Sequence, residues 1–191
     1  MNQNSVFYKA TASVILCSSY PMLVVGSYFV YIPWNMKRLS LTESDLGFAI
    51  LIFGIFFLIS NQFSARYLVP RIGTKIVMSC SMIFISFGAF LLIIVPNYSL
   101  LLLCSVPAGL GWGSSGPIGG IHAQLVEKQF KKIITPYYAM GFNIGIFFGG
   151  LLAGYFIKKM FVPWKIFFTF SLLSFVISFL VYNLSLPKKM D

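Results

Sequence analysis

The stretch RYLVPRIGTK, from Arg66 to Lys75, places three cationic side chains and a proline between two long apolar segments. Charges are rare elsewhere in the 191-residue chain: only 9% of its residues are charged, against about a quarter in soluble domains. With 58% hydrophobic residues and a mean hydropathy of +0.87, the sequence predicts an integral membrane protein. The stretch is then a short polar turn between two spans, in which we expect Pro70 and Gly73 to break the helix.

Six apolar segments are long enough to cross a bilayer, which takes roughly 20 residues of helix each. We predict an all-α integral membrane protein in which residues 1–191 form a single six-helix transmembrane domain. The first segment exceeds the roughly 7–15 residues of a signal-peptide core and is not closed by a small-residue cleavage site, so we expect it to stay as a helix. The predicted spans are about 10–32, 46–63, 76–95, 100–121, 134–157 and 166–183.

The formal charge of +10 does not indicate nucleic-acid binding, because the basic residues lie at the ends of apolar segments rather than on one face. We expect the bilayer to be the partner of these residues. One set of connections is richer in Lys and Arg, which predicts a multi-pass protein of the cell membrane (an inner membrane) with both termini in the cytoplasm. That set comprises Lys9, Arg66, Arg71, Lys75, Lys128, Lys131, Lys132, Lys188 and Lys189.

The residue order of the opening stretch resembles the loop between helices two and three of major facilitator superfamily transporters, whose pattern is G-x-L-x-D-R-x-G-R-R. The residues that match in register are Leu68, Arg71, Gly73 and Lys75. Arg66 replaces the family glycine and Pro70 replaces its aspartate. The resemblance implies that the four matching residues form a conformational loop that helps to gate the cytoplasmic side.

Small residues recur at every fourth position in the fifth segment, which predicts a helix face that another backbone can approach closely. The expected packing residues are Gly141, Gly145, Gly149 and Gly150. This segment is similar to the glycine-rich fifth helix of the same family, and Trp164-Lys-Ile-Phe-Phe168 resembles the family's W-R-x-x-F entry into helix six. A faint repeat between 65–71 and 153–159 fits the two inverted three-helix repeats that the resemblance implies.

The resemblance further implies that spans one, two, four and five line a substrate cavity. Asn143 and Tyr138 are the preferred candidates, although polar groups in membrane helices also bond to neighbouring helices at roughly 0.6 kcal/mol each. The full set of candidate substrate-binding residues is Tyr20, Ser114, Ser115, Tyr137, Tyr138 and Asn143. Ser105 occupies the position of an arginine that proton-coupled family members use.

An alternative hypothesis for span four is a protease site, because Gly113-Ser-Ser-Gly116 has the form of the G-x-S-G box of rhomboid proteases. His122 is the only histidine and lies roughly 10 Å from Ser115 along a helix, whereas a catalytic dyad needs contact at about 3 Å. We therefore expect no enzyme unless span four is broken, and His122 to be packed or snorkelling. Glu127 is expected to pair with Lys131 at helical spacing.

Cofactor and metal motifs are not expected, since Cys17, Cys80 and Cys104 fall inside predicted spans as reduced thiols. The sequence favours a half-size transporter of a small solute that works by alternating access when it is paired with a second half, either a second copy or a separate six-helix partner. Two alternatives remain: a truncated fragment that does not transport, and a structural or regulatory protein that binds other helices.

Overall fold

The computed structural model describes residues 3–186, which contain helices and turns only. The predicted cations Lys188 and Lys189 lie outside the described residues. Each predicted span falls within or close to one long helix. The helices are α1 (Gln3–Leu39), α2 (Glu43–Phe63), α3 (Thr74–Ile94), α4 (Tyr98–Phe130), α5 (Thr135–Lys158) and α6 (Pro163–Leu184).

The helices run alternately up and down, so their connections collect at two ends of the bundle. At the first end, which we call the N-terminal end, the Phe7 ring at the start of α1 lies 5.3 Å from the Phe130 ring that closes α4. At the opposite end, Asn35 near the end of α1 donates from Nδ2 to the carbonyl of Leu92 in α3 at 2.9 Å. Contacts between helices that are distant in sequence thus hold the bundle together at both of its ends.

Two helix pairs, α1 with α5 and α2 with α4, pack along most of their length. The predicted stripe on α5 faces α1: a Cβ at Gly145 would lie only 2.8 Å from Met22 Cβ, and Gly141 and Gly149 are equally close to the α1 backbone or its side chains. Gly150 lies off this contact, since it is about 100° further around the helix and a Cβ there would meet only Val30 Cγ2, at 3.9 Å.

A second set of close contacts joins α4 to its neighbours, and the sequence analysis did not single it out. A Cβ at Gly109 would lie 2.5 Å from the carbonyl oxygen of Phe53, and one at Gly113 would lie 2.8 Å from Phe57 Cα. These two glycines, four residues apart, bring α2 against α4 as the α5 stripe brings α5 against α1. Small residues supply this contact because lipid gives helices no hydrophobic drive to associate.

The surface of the bundle is largely apolar, as a lipid-facing surface must be. Five of the six long helices are long and apolar enough to cross a membrane. The exception is α4, which has 33 residues and is rich in Gly and Ser. Because α4 packs against α1, α2 and α3, its side chains have to be small enough for close approach and need not be as apolar as lipid-facing ones.

The connection between α2 and α3 differs from the expected broken turn. The chain stays helical as a π-helical turn over Ser64–Leu68 and an α-helical turn over Val69–Ile72, and it breaks only at Gly73, where φ is 85°. The expectation that Pro70 breaks the helix is wrong. The wide turn before Pro70, in which the Val69 amide bonds the Ser64 carbonyl, leaves room for the proline ring that an α-helix interior does not have.

The residues matched to the family loop differ in burial and contacts within this connection. Leu68 packs against the main core cluster, whereas Arg71 is exposed. Lys75 lies at the start of α3 with its Nζ 4.0 Å from the centre of the Tyr182 ring on α6. The connection therefore contacts both the core and α6 at the N-terminal end.

Candidate substrate cavity

A cavity of about 280 Å³ lies between α1, α2 and α4, in the half of the bundle next to the opposite end. It opens at the surface between α1 and α2, where Phe29 and Ile50 are each about half exposed. Leu92 of α3 completes one side. The remaining walls are formed by Tyr28, Ile32, Asn35, Met36, Leu41, Leu46, Ala49, Phe53, Phe57, Leu101, Ser105 and Trp112.

Aromatic rings form much of the wall of this cavity. The Trp112 ring centroid is 5.1 Å from that of Phe53 in an edge-to-face arrangement and 5.7 Å from that of Phe29. Phe57, one helical turn from Phe53, continues the same wall with ring centroids 6.2 Å apart. Trp112 is thus the residue on which α1, α2 and α4 converge.

Few polar groups reach the cavity, and those that do are largely engaged. Asn35 is buried and, besides its bond to α3, accepts through Oδ1 from Arg38 Nη2 at 2.8 Å and from Nε at 3.3 Å. Ser105 donates to the Leu101 carbonyl one turn back at 2.8 Å. None of the described residues that line the cavity is acidic.

The residues predicted to bind substrate do not line this cavity. Tyr138 donates its hydroxyl to the Gly116 carbonyl on α4 at 2.7 Å, and its ring lies across Gly119, where a Cβ would be 2.6 Å from Tyr138 Cε2. Ser114 and Ser115 are buried and donate to carbonyls of their own helix, at 2.9 and 3.1 Å. Tyr138 therefore links α5 to α4 on the N-terminal side of the cavity.

The other three candidates lie apart from one another. Asn143 is exposed on α5, where its Nδ2 donates to the Ala139 carbonyl at 2.9 Å, and Tyr137 is 47% exposed. Tyr20 is buried and donates its hydroxyl to the Phe170 carbonyl on α6. A direct substrate role for any of the six residues stays a prediction.

His122 is packed rather than snorkelling. It is fully buried, with Nε2 3.2 Å from Ser13 Oγ on α1 and Nδ1 3.2 Å from Thr74 Oγ1 on α3. The imidazole therefore connects three helices near the N-terminal end. The helix α4 that carries it is continuous, and the Ser115 hydroxyl donates to the Trp112 carbonyl on the same helix.

Glu127 does not form the expected helical pair with Lys131. The helix ends at Phe130 and Lys131 adopts a left-handed conformation, so helical spacing no longer applies. One Glu127 carboxylate oxygen instead accepts from the backbone amides of Thr135 at 2.7 Å and Ile134 at 2.6 Å. These bonds lower the pKa of the Glu127 carboxyl, and they cap the start of α5 at its positive end.

The sequence carried one signal for the cavity that polarity alone did not reveal. Phe29, Phe53 and Trp112 belong to three of the four spans that the resemblance assigns to a substrate cavity. These three residues were not predicted to line a site, because aromatic residues in a membrane protein are typical of lipid-facing and interfacial positions. Only the packing of α1, α2 and α4 shows that these rings meet.

Antiparallel helices with an apolar surface and internally bonded polar side chains define a multi-pass membrane protein. The family model described as Major Facilitator Superfamily matches residues 14–190. The chain belongs to this superfamily, a family of membrane transporters.

Relatives of this chain include the quinolone resistance protein NorA of Staphylococcus aureus. The proteins from strains Mu50 (ATCC 700699) and N315 are each 27% identical to it over 134 residues, which cover 70% of this chain and 34% of the relative. The protein from strain MRSA252 matches to the same extent. The match thus spans about a third of the length of these relatives.

Proposed function

We propose that this chain forms one half of a transporter and moves a small solute by alternating access together with a second six-helix half. The observation that carries the proposal is the aromatic cavity between α1, α2 and α4, since ligand sites are concave and mostly apolar with a few polar groups. Its opening between α1 and α2 leaves one side for a second half to cover. Family membership and the relatives named for quinolone resistance support the same function.

We propose that all six long helices cross the membrane as two inverted three-helix repeats. In such repeats α1, α2 and α3 correspond to α4, α5 and α6 in turn. The pair α1–α5 then corresponds to the pair α4–α2, and α3 corresponds to α6. Both pairs pack along most of their length, and α3 packs directly on α6. The close-contact glycines do not follow this correspondence of helices, since they lie on α5 in one pair and on α4, the counterpart of α1, in the other. This correspondence supports repeats of the kind found in transporter halves.

The proposed orientation puts the N-terminal end of the bundle in the cytoplasm of a cell membrane. The α2–α3 and α4–α5 connections at that end carry six of the 14 Lys and Arg residues, and Lys9 at the start of α1 is a seventh, against five at the opposite end; this excess favours the cytoplasmic side. The cavity would then lie in the outer half of the membrane. Cysteine substitution at Arg71 and Met160, on opposite ends, tests this with a membrane-impermeant thiol reagent on intact cells: labelling of Arg71→Cys but not Met160→Cys would overturn it.

The second half is proposed to be another copy of this chain or a separate six-helix partner. Crosslinking in intact membranes, followed by detergent extraction and mass analysis, tests this. A discrete dimer, or a complex with a second six-helix protein, is the expected result. A species of 21.4 kDa alone would contradict transport by this chain and favour the fragment or helix-binding alternatives.

Transport itself can be tested with matched asparagine variants. Asn143 on α5 and Asn183 on α6 are both exposed, and each donates to the carbonyl four residues back at 2.9 Å. With an uncharged fluorescent naphthalene derivative as the first probe in intact cells, we expect Asn143→Leu to reduce efflux while Asn183→Leu leaves it unchanged, at equal membrane levels. Equal efflux by both variants would remove Asn143 from the substrate path. No efflux above that of cells without the protein, from an assembled complex, would refute transport of this probe class.

A further inference from the structure

We propose that the cavity between α1, α2 and α4 selects uncharged aromatic molecules of one or two rings and discriminates against organic ions. The inference takes the cavity as the solute site of the proposed function, and it concerns binding rather than transport. It rests on three properties of the cavity: its volume, its aromatic wall and its lack of a partner for charge.

The volume limits the size of the occupant. An apolar cavity of about 150 Å³ holds one benzene ring. The cavity here is about 280 Å³, close to twice that volume, so it encloses a fused two-ring molecule, whereas a larger polycyclic one would extend out through the opening. Phe29 and Ile50, which are both half exposed, lie at the opening that the proposed second half would cover.

The wall favours a flat ring. Trp112, Phe29 and Phe53 present rings that are tilted or nearly perpendicular to one another, with interplanar angles of 30° and 80° to Trp112. An added ring can therefore make an offset or edge-to-face contact, which are the arrangements that aromatic pairs prefer. Aliphatic Ala49 and Leu46, on the same face of α2 as Phe53, also line the cavity.

The electrostatics of the cavity disfavour a cation. No described lining residue supplies a carboxylate, and the Asn35 side-chain oxygen is already bonded to the guanidinium of Arg38. The positive charge of Arg38 is thus bonded directly to a residue of the cavity wall. Aromatic faces attract cations, but a buried cation here would lose its water without gaining a counter-charge. An anion would also enter an apolar cavity without a direct ionic partner, since the guanidinium is held behind Asn35.

Quenching of Trp112 fluorescence tests this without any transport step. The full chain, carrying Trp34→Phe and Trp164→Phe so that Trp112 is the only tryptophan, is reconstituted in nanodiscs. The probes are 1-bromonaphthalene and its trimethylammonium and sulfonate analogues, whose bromine quenches at contact. We expect saturable quenching by 1-bromonaphthalene and about tenfold or weaker binding of both ions, since an unpaired charge is costly to bury.

Two controls separate the cavity from the lipid. A chain that keeps only Trp164, which is 48% exposed on α6, should show weak quenching that rises without saturation as the probe enters the bilayer. In the Trp112-only chain, Ala49→Phe should abolish saturable quenching by filling the cavity, whereas Ile59→Phe, on an exposed face of α2 outside the cavity, should not.

Binding of the ammonium or the sulfonate as tight as that of 1-bromonaphthalene would overturn the charge preference. Unchanged saturable quenching in folded Ala49→Phe would overturn the location. The comparison of probes needs no cavity variant, so it decides the charge preference even if Ala49→Phe does not fold. If binding follows the expected order and cells show no transport, the proposed function fails and the inference stands.

Discussion

Replacing Gly145 with alanine should destabilise the bundle, whereas the same change at Gly54 should not. A Cβ at Gly145 would lie 2.8 Å from Met22 Cβ and 3.0 Å from the backbone carbon of Ser19. Carbon atoms settle at about 3.5–4.0 Å, so α1 and α5 would have to separate by nearly 1 Å. At Gly54 on α2 a Cβ would meet nothing within 4 Å.

The expected magnitude follows from the pair of variants rather than from either alone. Alanine gains about 1 kcal/mol of helix propensity over glycine at both positions, so the difference between the variants isolates the packing cost. Overpacking costs typically about 1–3 kcal/mol, and the Ser19 backbone cannot rotate away. Gly145→Ala should therefore be less stable than Gly54→Ala by roughly fivefold or more in the unfolding equilibrium.

Reversible unfolding in mixed micelles with increasing SDS, followed by loss of helical circular dichroism, measures this difference. Gly145→Leu should extend the effect to lower protein levels in the membrane, because a larger side chain cannot fit between the two backbones. Equal midpoints for Gly145→Ala and Gly54→Ala would refute the argument that the α5 stripe holds α1 by backbone contact.

Three further outcomes test other parts of the structure. Backbone hydrogen bonds lower the pKa of the Glu127 carboxyl in the folded protein. The carboxylate should therefore stabilise the fold above the unfolded pKa of about 4.3, and this stabilisation should be lost as pH falls through the lower folded pKa. Glu127→Gln should flatten that part of a curve of stability against pH, and an unchanged curve would contradict the cap. Tyr138→Phe should lose its bond to Gly116, at about 0.6 kcal/mol in SDS titrations, whereas exposed Tyr137→Phe should cost nothing measurable. His122→Ala should destabilise by about 1–3 kcal/mol, because it removes the two buried hydrogen bonds to Ser13 and Thr74, at about 0.5–1.5 kcal/mol each; wild-type thermal stability would contradict that role.

The helical class of the fold could be predicted from the sequence because each apolar segment is a local signal. Segment length and flanking charge depend only on neighbouring residues, which is why α5, for instance, begins and ends close to its predicted bounds. The α5 stripe was also visible, since regular spacing of glycine places it on one face. The contact formed by Gly109 and Gly113 was not predicted, because Pro107 and the serines around them obscure the same spacing in α4.

The site could be predicted less well because it depends on which faces of distant helices meet. The prediction weighed polar groups, and Ser115 and Tyr20 turned out to bond carbonyl groups of the protein. The cavity is instead lined by rings such as Trp112 and Phe53, whose meeting depends on the α2–α4 glycine contacts. Local pattern also failed at Pro70, where a π-helical turn accommodates a residue that ordinarily ends a helix.

The glycine contact between α5 and α1 also determines where the chain can change its length. One added residue between Gly141 and Gly149 would turn every later glycine by about 100° about the helix axis, away from α1, and bring a bulkier side chain against its backbone. An added residue after Met160, in the exposed connection that follows α5, would leave the contact in register. Insertions and deletions among variants of this chain should therefore be found at helix ends and be missing from residues 141–149.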